Sequence, residues 1–298
     1  MKSFKEKKKK VALVLGAGGA RGTAHIGVIR ALLEQGYEIS SISGTSMGAL
    51  VGGIYAAGKL DEYELWLRSL SRSKIFNLVD FTLSRSGIIK ADKVLNEIQK
   101  FIPDQKIEDL PIKYAAVATD LNHKKEVIIT EGSLFEAIRA SISIPLVITP
   151  VNKNDTLFVD GGVLNPVPTN RVFRHKGDIL IAVNVIAQIP AKKPMDNSQH
   201  NSLYFEKLTK GKLGRFQKRL SKLFPINNKE KIGYFNLIAE TVHLMLAQIT
   251  DLTLKIHPPD VLIEISIESC GAFDFYKSEE MIELGIETTH EILLKLRI

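Results

Sequence analysis

The chain has 298 residues, 45% hydrophobic and 24% charged, which is enough apolar material for a sizeable core in a single large α/β domain. One cysteine, Cys270, excludes an internal disulfide and points to a reducing, cytoplasmic setting. No run approaches the roughly 18 apolar residues of a spanning helix. The net charge of +7 is uneven: residues 1–10 carry six Lys against one Glu, and residues 190–235 carry eleven Lys or Arg against three acids, leaving the rest acidic. Two basic stretches on an acidic body suit either solvated segments or contact with an anionic surface.

The tail MKSFKEKKKK precedes an apolar run of only five residues, Val11–Leu15. A secretory h-region needs roughly 7–15, so residues 1–10 read as a solvated tail leading into a buried strand. Glycines follow at Gly16–Gly22. The spacing of Ile26, Ile29, Leu32 and Leu33 then predicts a helix that Gly36 ends. Ile39–Ser43 is a second strand, and Gly44-Thr-Ser-Met-Gly48 turns it into a helix running to Ala57. This βαβα opening predicts a doubly wound, mainly parallel sheet.

Helices are expected at 61–72 and 91–101. Strands follow at Tyr114–Asp120 and Glu126–Thr130, then a helix over Ser133–Ala140. Leu157–Val159 is a short strand ending in Asp160-Gly-Gly162, and Ile179–Val185 is another apolar strand. After the basic, polar insert at 190–235 come amphipathic helices at 237–252 and 278–294, with a strand over Val261–Ile265 between them.

Gly16-Ala-Gly-Gly-Ala-Arg-Gly22 lies between strand and helix, where backbone N–H groups and the helix N-terminus favour an anion. The loop alone fits a dinucleotide pyrophosphate or the oxyanion of an acyl intermediate. The dinucleotide reading fits poorly, because Arg21 stands where the third glycine belongs and the second strand ends in Ser43-Gly44 rather than an acid. Gly44-Thr-Ser46-Met-Gly48 matches the G-x-S-x-G nucleophile elbow, in which a sharp strand-to-helix turn presents the serine hydroxyl.

The order of these motifs resembles the patatin-like phospholipase family. Its pattern is G-G-x-[KR]-G, then G-x-S-x-G, then D-G-[GA]. Gly18-Gly19-Ala20-Arg21-Gly22, Gly44–Gly48 and Asp160-Gly161-Gly162 supply all three. The likeness extends to Ala140-Ser-Ile-Ser-Ile-Pro145 and Asn165-Pro-Val-Pro168, spanning roughly residues 11–185. It implies a three-layer α/β/α sandwich and hydrolysis of acyl-lipid esters by a Ser46–Asp160 dyad. It also implies an oxyanion hole at Gly18, Gly19 and Arg21, supported by Gly16, Ala17, Gly22, Gly44, Gly48, Gly161 and Gly162. Ala17 stands where many members have a third consecutive glycine, which the hole tolerates if that residue needs no positive φ.

The resemblance implies no cofactor, and no cluster of residues has metal-ligand spacing. No nucleic-acid partner is expected. His25, close to the glycine loop, is expected to pack and to hydrogen-bond backbone. A catalytically silent scaffold of the same fold and a nucleotide-binding module are the competing classes. Within the insert, Leu213, Phe216, Leu220, Leu223 and Phe224 alternate with Lys212, Arg215, Lys218, Arg219 and Lys222 at helical spacing. That stripe is a candidate for peripheral contact with an anionic membrane.

Overall fold

The computed structural model describes residues 9–78, 80–81, 89–192 and 234–296. The opening unit is as the sequence predicts. Strand β1 (Lys10–Leu15) leads through a 3-10 turn at Gly19–Thr23 to α1 (Ala24–Glu34). Strand β2 (Glu38–Thr45) leads directly into α2 (Met47–Ala56). Helices α3 (Leu60–Arg68) and α4 (Arg72–Leu78) follow, then a small ribbon of β3 (Asp80–Phe81) and β4 (Ile89–Lys90), then α5 (Asp92–Gln99). The remaining elements are β5 (Lys113–Asp120), β6 (Lys125–Ile129), α6 (Leu134–Ser141), β7 (Val151–Lys153), β8 (Thr156–Asp160), β9 (Ile179–Ala187), α7 (Tyr234–Ile256), β10 (Val261–Ser266) and α8 (Ser278–Leu296).

Five strands form a parallel sheet in the order β10-β9-β1-β2-β5. Beyond them β6, β8 and β7 run antiparallel to their partners. Ala116 and Val117 of β5 pair with β2 on one edge and β6 on the other. Ala118 pairs with both β6 and Asp160 of β8. Strand β8 therefore occupies the edge of β5 that β2 vacates when it ends at Thr45. The chain reversal that makes β8 antiparallel thus delivers its last residue to the point where β2 turns into α2.

Alternation along the central strands divides the apolar side chains between two faces. Val11, Leu13, Leu15, Ile181 and Val183 join a large core with α1, α2, α6 and α8. Ala12, Val14, Leu180 and Ala182 face the opposite side, where Val167, Val172 and Leu254 of α7 cover them. This is a three-layer α/β/α sandwich with a mainly parallel sheet. Its second helical layer is thin, because much of it is the irregular segment between β8 and β9.

The structure adds α4, the β3–β4 ribbon and β7 to the elements expected from sequence. The strands are two or three residues long, too short for a usable period, and α4 spans only seven. Strand β1 begins at Lys10 and α7 at Tyr234, each slightly inside a stretch expected to be irregular. The stripe at 212–224 lies outside the described residues. Among these residues no helix is long and apolar enough to cross a membrane.

Candidate active site

The elbow places Ser46 between the end of β2 and the first turn of α2 with φ 56° and ψ −121°, a conformation that L-residues rarely adopt. Strain of this kind costs about 1–3 kcal/mol and persists only where surrounding contacts over-determine it. Several such contacts are present. The Ser46 N–H donates to Ser141 Oγ at 2.9 Å, and that hydroxyl donates to Val117 O at 2.6 Å. Thr45 Oγ1 donates to Asn165 O at 2.9 Å, and Tyr114 Oη donates to Ala49 O at 2.8 Å, tying α2 to β5. Gly44 and Gly48 face each other across the turn, and a Cβ on Gly48 would overlap the Leu15 carbonyl oxygen. Only a glycine lets α2 start this close to the end of β1.

That closeness brings the glycine loop beside the serine. Its first residues are anchored by Gly16 N–H to Val183 O at 3.0 Å and Ala17 N–H to Pro166 O at 2.8 Å. Its far end packs Gly22 against Met47, the residue after the serine. Ala17 has no positive φ, so the alanine fits, but its N–H is consumed by Pro166. The Ala20 N–H is likewise committed, to Ala272 O at 2.8 Å. Gly18 and Gly19 are the loop residues whose N–H groups make no hydrogen bond among the described residues. The side chain of Arg21 turns to the C-terminal part of the chain, Nε donating to Ile267 O at 2.7 Å. Burial lowers its pKa, opposed by the nearby Cys270 and Asp274. Arg21 braces the loop from behind.

Asp160 ends β8 and caps a 3-10 turn at Gly161–Val163, its Oδ1 accepting the Gly162 N–H at 2.7 Å. A Cβ on Gly161 would collide with Val117 O, so the glycine admits this turn against β5. The Asp160 N–H donates to Ser143 O at 2.9 Å. The carboxyl is 5% exposed, and Ser46 is 4% exposed. Burial pushes Asp160 up to about 6, against the pull of Ser46 and of the Gly162 N–H. Although Ser46 acts on the carboxyl, Oδ2 is buried with no hydrogen-bond partner. Ser46 is thus a neighbour of the carboxyl, with no formed hydrogen bond between the two side chains among the described residues.

His25 is fully buried, and burial lowers it to about 4. It is neutral at physiological pH. Its Nε2 lies 2.8 Å from Gly16 O, an acceptor, so Nε2 carries the proton and Nδ1 is left bare and unpartnered. The ring steadies the glycine loop, as expected from sequence.

Two supports were not assigned from sequence. Ser141, the last residue of α6, and Ser143 just beyond it hold the Ser46 and Asp160 backbones respectively. Asn165 donates from Nδ2 to Glu126 Oε1 at 2.7 Å, and Arg171 Nε reaches the other Glu126 oxygen at 2.7 Å. Ser141, Ser143 and Asn165 lie in the stretches 140–145 and 165–168 that the family likeness covers, but it gave these side chains no role.

A patatin-like phospholipase family model matches residues 13–173, covering every motif described above. The chain belongs to the patatin-like phospholipase family. An uncharacterized NTE family protein of Mycobacterium tuberculosis is 36% identical over 93% of this chain and 89% of its own length. A lysophospholipase NTE1 of Kluyveromyces lactis is 30% identical over 96% of this chain, which matches 19% of that protein. Among solved structures, VipD from Legionella pneumophila superposes with a TM-score of 0.50 at 14% identity, covering 97% of this chain and 67% of that one. That last likeness concerns the fold. Family membership makes this patatin-like chain a serine hydrolase of lipid esters.

Proposed function

We propose that this chain cleaves carboxylic esters of phospholipids, lysophospholipids or related acyl lipids with Ser46 as nucleophile and Asp160 as its base. The observation that carries this reading is the meeting of a strained, buried serine with a buried carboxyl raised to about 6. A carboxylate is a weak base toward a hydroxyl, and raising its pKa narrows the mismatch. Of the two carboxyl oxygens Oδ1 is held by Gly162, so the unpartnered Oδ2 is the one that accepts the Ser46 proton.

Ser46 Oγ attacks the ester carbon as its proton passes to Asp160. The N–H groups of Gly18 and Gly19, without other partners among the described residues, stabilise the oxyanion in this buried setting. The tetrahedral intermediate collapses, and the leaving alcohol takes the proton from Asp160. Water then attacks the acyl-serine with Asp160 again accepting a proton, the Ser46 oxygen departs and takes that proton back, and the fatty acid is released. A lysophospholipase among the relatives supports a lysolipid as the first substrate to try.

Treatment with a fluorophosphonate probe followed by peptide mass spectrometry tests the assignment. The expected result is one adduct, on Ser46, with labelling much slower in Asp160→Asn. An adduct elsewhere, or unchanged labelling in the Asp160 variant, would overturn it.

A further inference from the structure

Helix α7 ends at Ile256, shortly before β10 enters the parallel sheet at Val261. It therefore runs antiparallel to the strands, and its amino-terminal half rises to their carboxyl ends, where Ser46 lies. Two contacts agree with this placement. His243 is close enough to feel the charge of Arg21, and Leu246 would be met by a Cβ on Gly162 at 3.8 Å. The inner face of α7 carries His243, Leu246, the buried Thr250 and the core-packed Leu254.

The outer face is not what water requires. At about 100° per residue, Leu237, Leu244, Met245 and Val242 fall with Thr241 and Gln248 on one arc of roughly 160°. No charged residue shares that arc between Leu237 and Leu252. Leu244 is 64% exposed and Met245 58%, with Leu237 and Val242 also exposed. Beside the same site, Leu146 follows the Ser141–Ser143 support and Leu164 follows the Asp160 turn, and both are exposed. Exposed apolar side chains scattered singly need no explanation, whereas a row of them along one helix face does.

We propose that the outward face of α7, with Leu146 and Leu164, is a docking surface that inserts into a lipid bilayer and sets the site opening against it. The proposal rests on the ester-hydrolase reading, because an acyl chain must pass from a bilayer to a serine that is only 4% exposed. Charge supports the same occupant. Residues 190–235 of the sequence, running up to and into the start of this helix, carry eleven Lys or Arg against three acids, which complements anionic head groups. The apolar arc supplies insertion and the basic sequence supplies attraction, the two elements of interfacial binding.

Co-sedimentation with vesicles of equal parts phosphatidylcholine and phosphatidylglycerol tests the surface. The probe is a Leu244→Glu, Met245→Glu double variant of the whole chain. The expected result is at least a roughly tenfold loss of vesicle binding that persists at high salt, where apolar insertion survives and head-group attraction is screened. Hydrolysis of vesicle lipid should fall in parallel, with turnover of a soluble short-chain p-nitrophenyl ester unchanged. Leu244→Gln, Met245→Gln replaces the double variant if circular dichroism finds the latter unfolded. Wild-type binding by the variant overturns the proposal, as does a loss of self-association on sedimentation without any change toward vesicles. Absent turnover of the soluble ester by the wild type would instead sink the hydrolase reading, and the sedimentation result would still judge the surface.

Discussion

Asp160→Asn separates what the carboxylate does for chemistry from what it does to the fold. The side chain is buried, and burial pushes its pKa from 3.8 up to about 6. A carboxyl whose folded pKa lies above its unfolded value binds more protons when folded, so its contribution to stability falls as pH rises from about 4 to about 6. At 1.36 kcal/mol per pH unit, the gap between 3.8 and about 6 amounts to roughly 3 kcal/mol lost at neutral pH. Asn does not ionise, and its Oδ1 still accepts the Gly162 N–H. It places an amide where Oδ2 has no partner, which costs about 1–3 kcal/mol at every pH. Urea denaturation of both proteins at pH 4 and pH 7 removes that constant offset. Because the unfolded carboxyl is already more than half ionised at pH 4, the difference in unfolding free energy should move by roughly 2.4 kcal/mol in favour of the variant between the two pH values, while ester hydrolysis falls about 10²–10⁴-fold. A difference that does not change with pH would refute the raised carboxyl. Retained hydrolysis would refute its role as base.

The wild-type kcat/KM should rise about tenfold per pH unit below about 6 and level off above, because the base acts when deprotonated. Ser46→Gly should abolish turnover yet be about 1–2 kcal/mol more stable than Ser46→Ala, since glycine alone relieves the positive φ; equal denaturation midpoints would count against stored strain. Ser141→Ala leaves the buried Ser46 N–H without its acceptor and should lower kcat far more than it changes KM, at about 1–3 kcal/mol of stability. His25→Ala should lose stability but keep the pH midpoint of kcat/KM near 6; a displaced midpoint would move the base from Asp160 to the imidazole.

The sequence by itself determined the parts whose chemistry is local. A five-residue apolar run before a glycine loop, a serine between two glycines at a strand-to-helix turn, and an Asp-Gly-Gly after a short strand each follow from neighbouring residues. The tertiary structure decided how those parts meet. Strand β8 takes over the edge of β5 that β2 leaves at Thr45, so Asp160 arrives at Ser46 although 114 positions separate them in the chain. The Ser46 N–H finds its acceptor 95 residues away, on Ser141. The loop amides divide into those bonded to distant carbonyls, at Ala17 and Ala20, and those without a partner among the described residues, at Gly18 and Gly19. Sequence period equally marks α7 as two-sided but does not say which apolar side turns inward. Packing against Val14 and Ala182 selects the side of Leu254, and leaves Leu244 and Met245 facing out. Patterns within a few residues encode propensity, turn geometry and chemical type, whereas partners, register and exposure are set by contacts that close only when the sheet assembles.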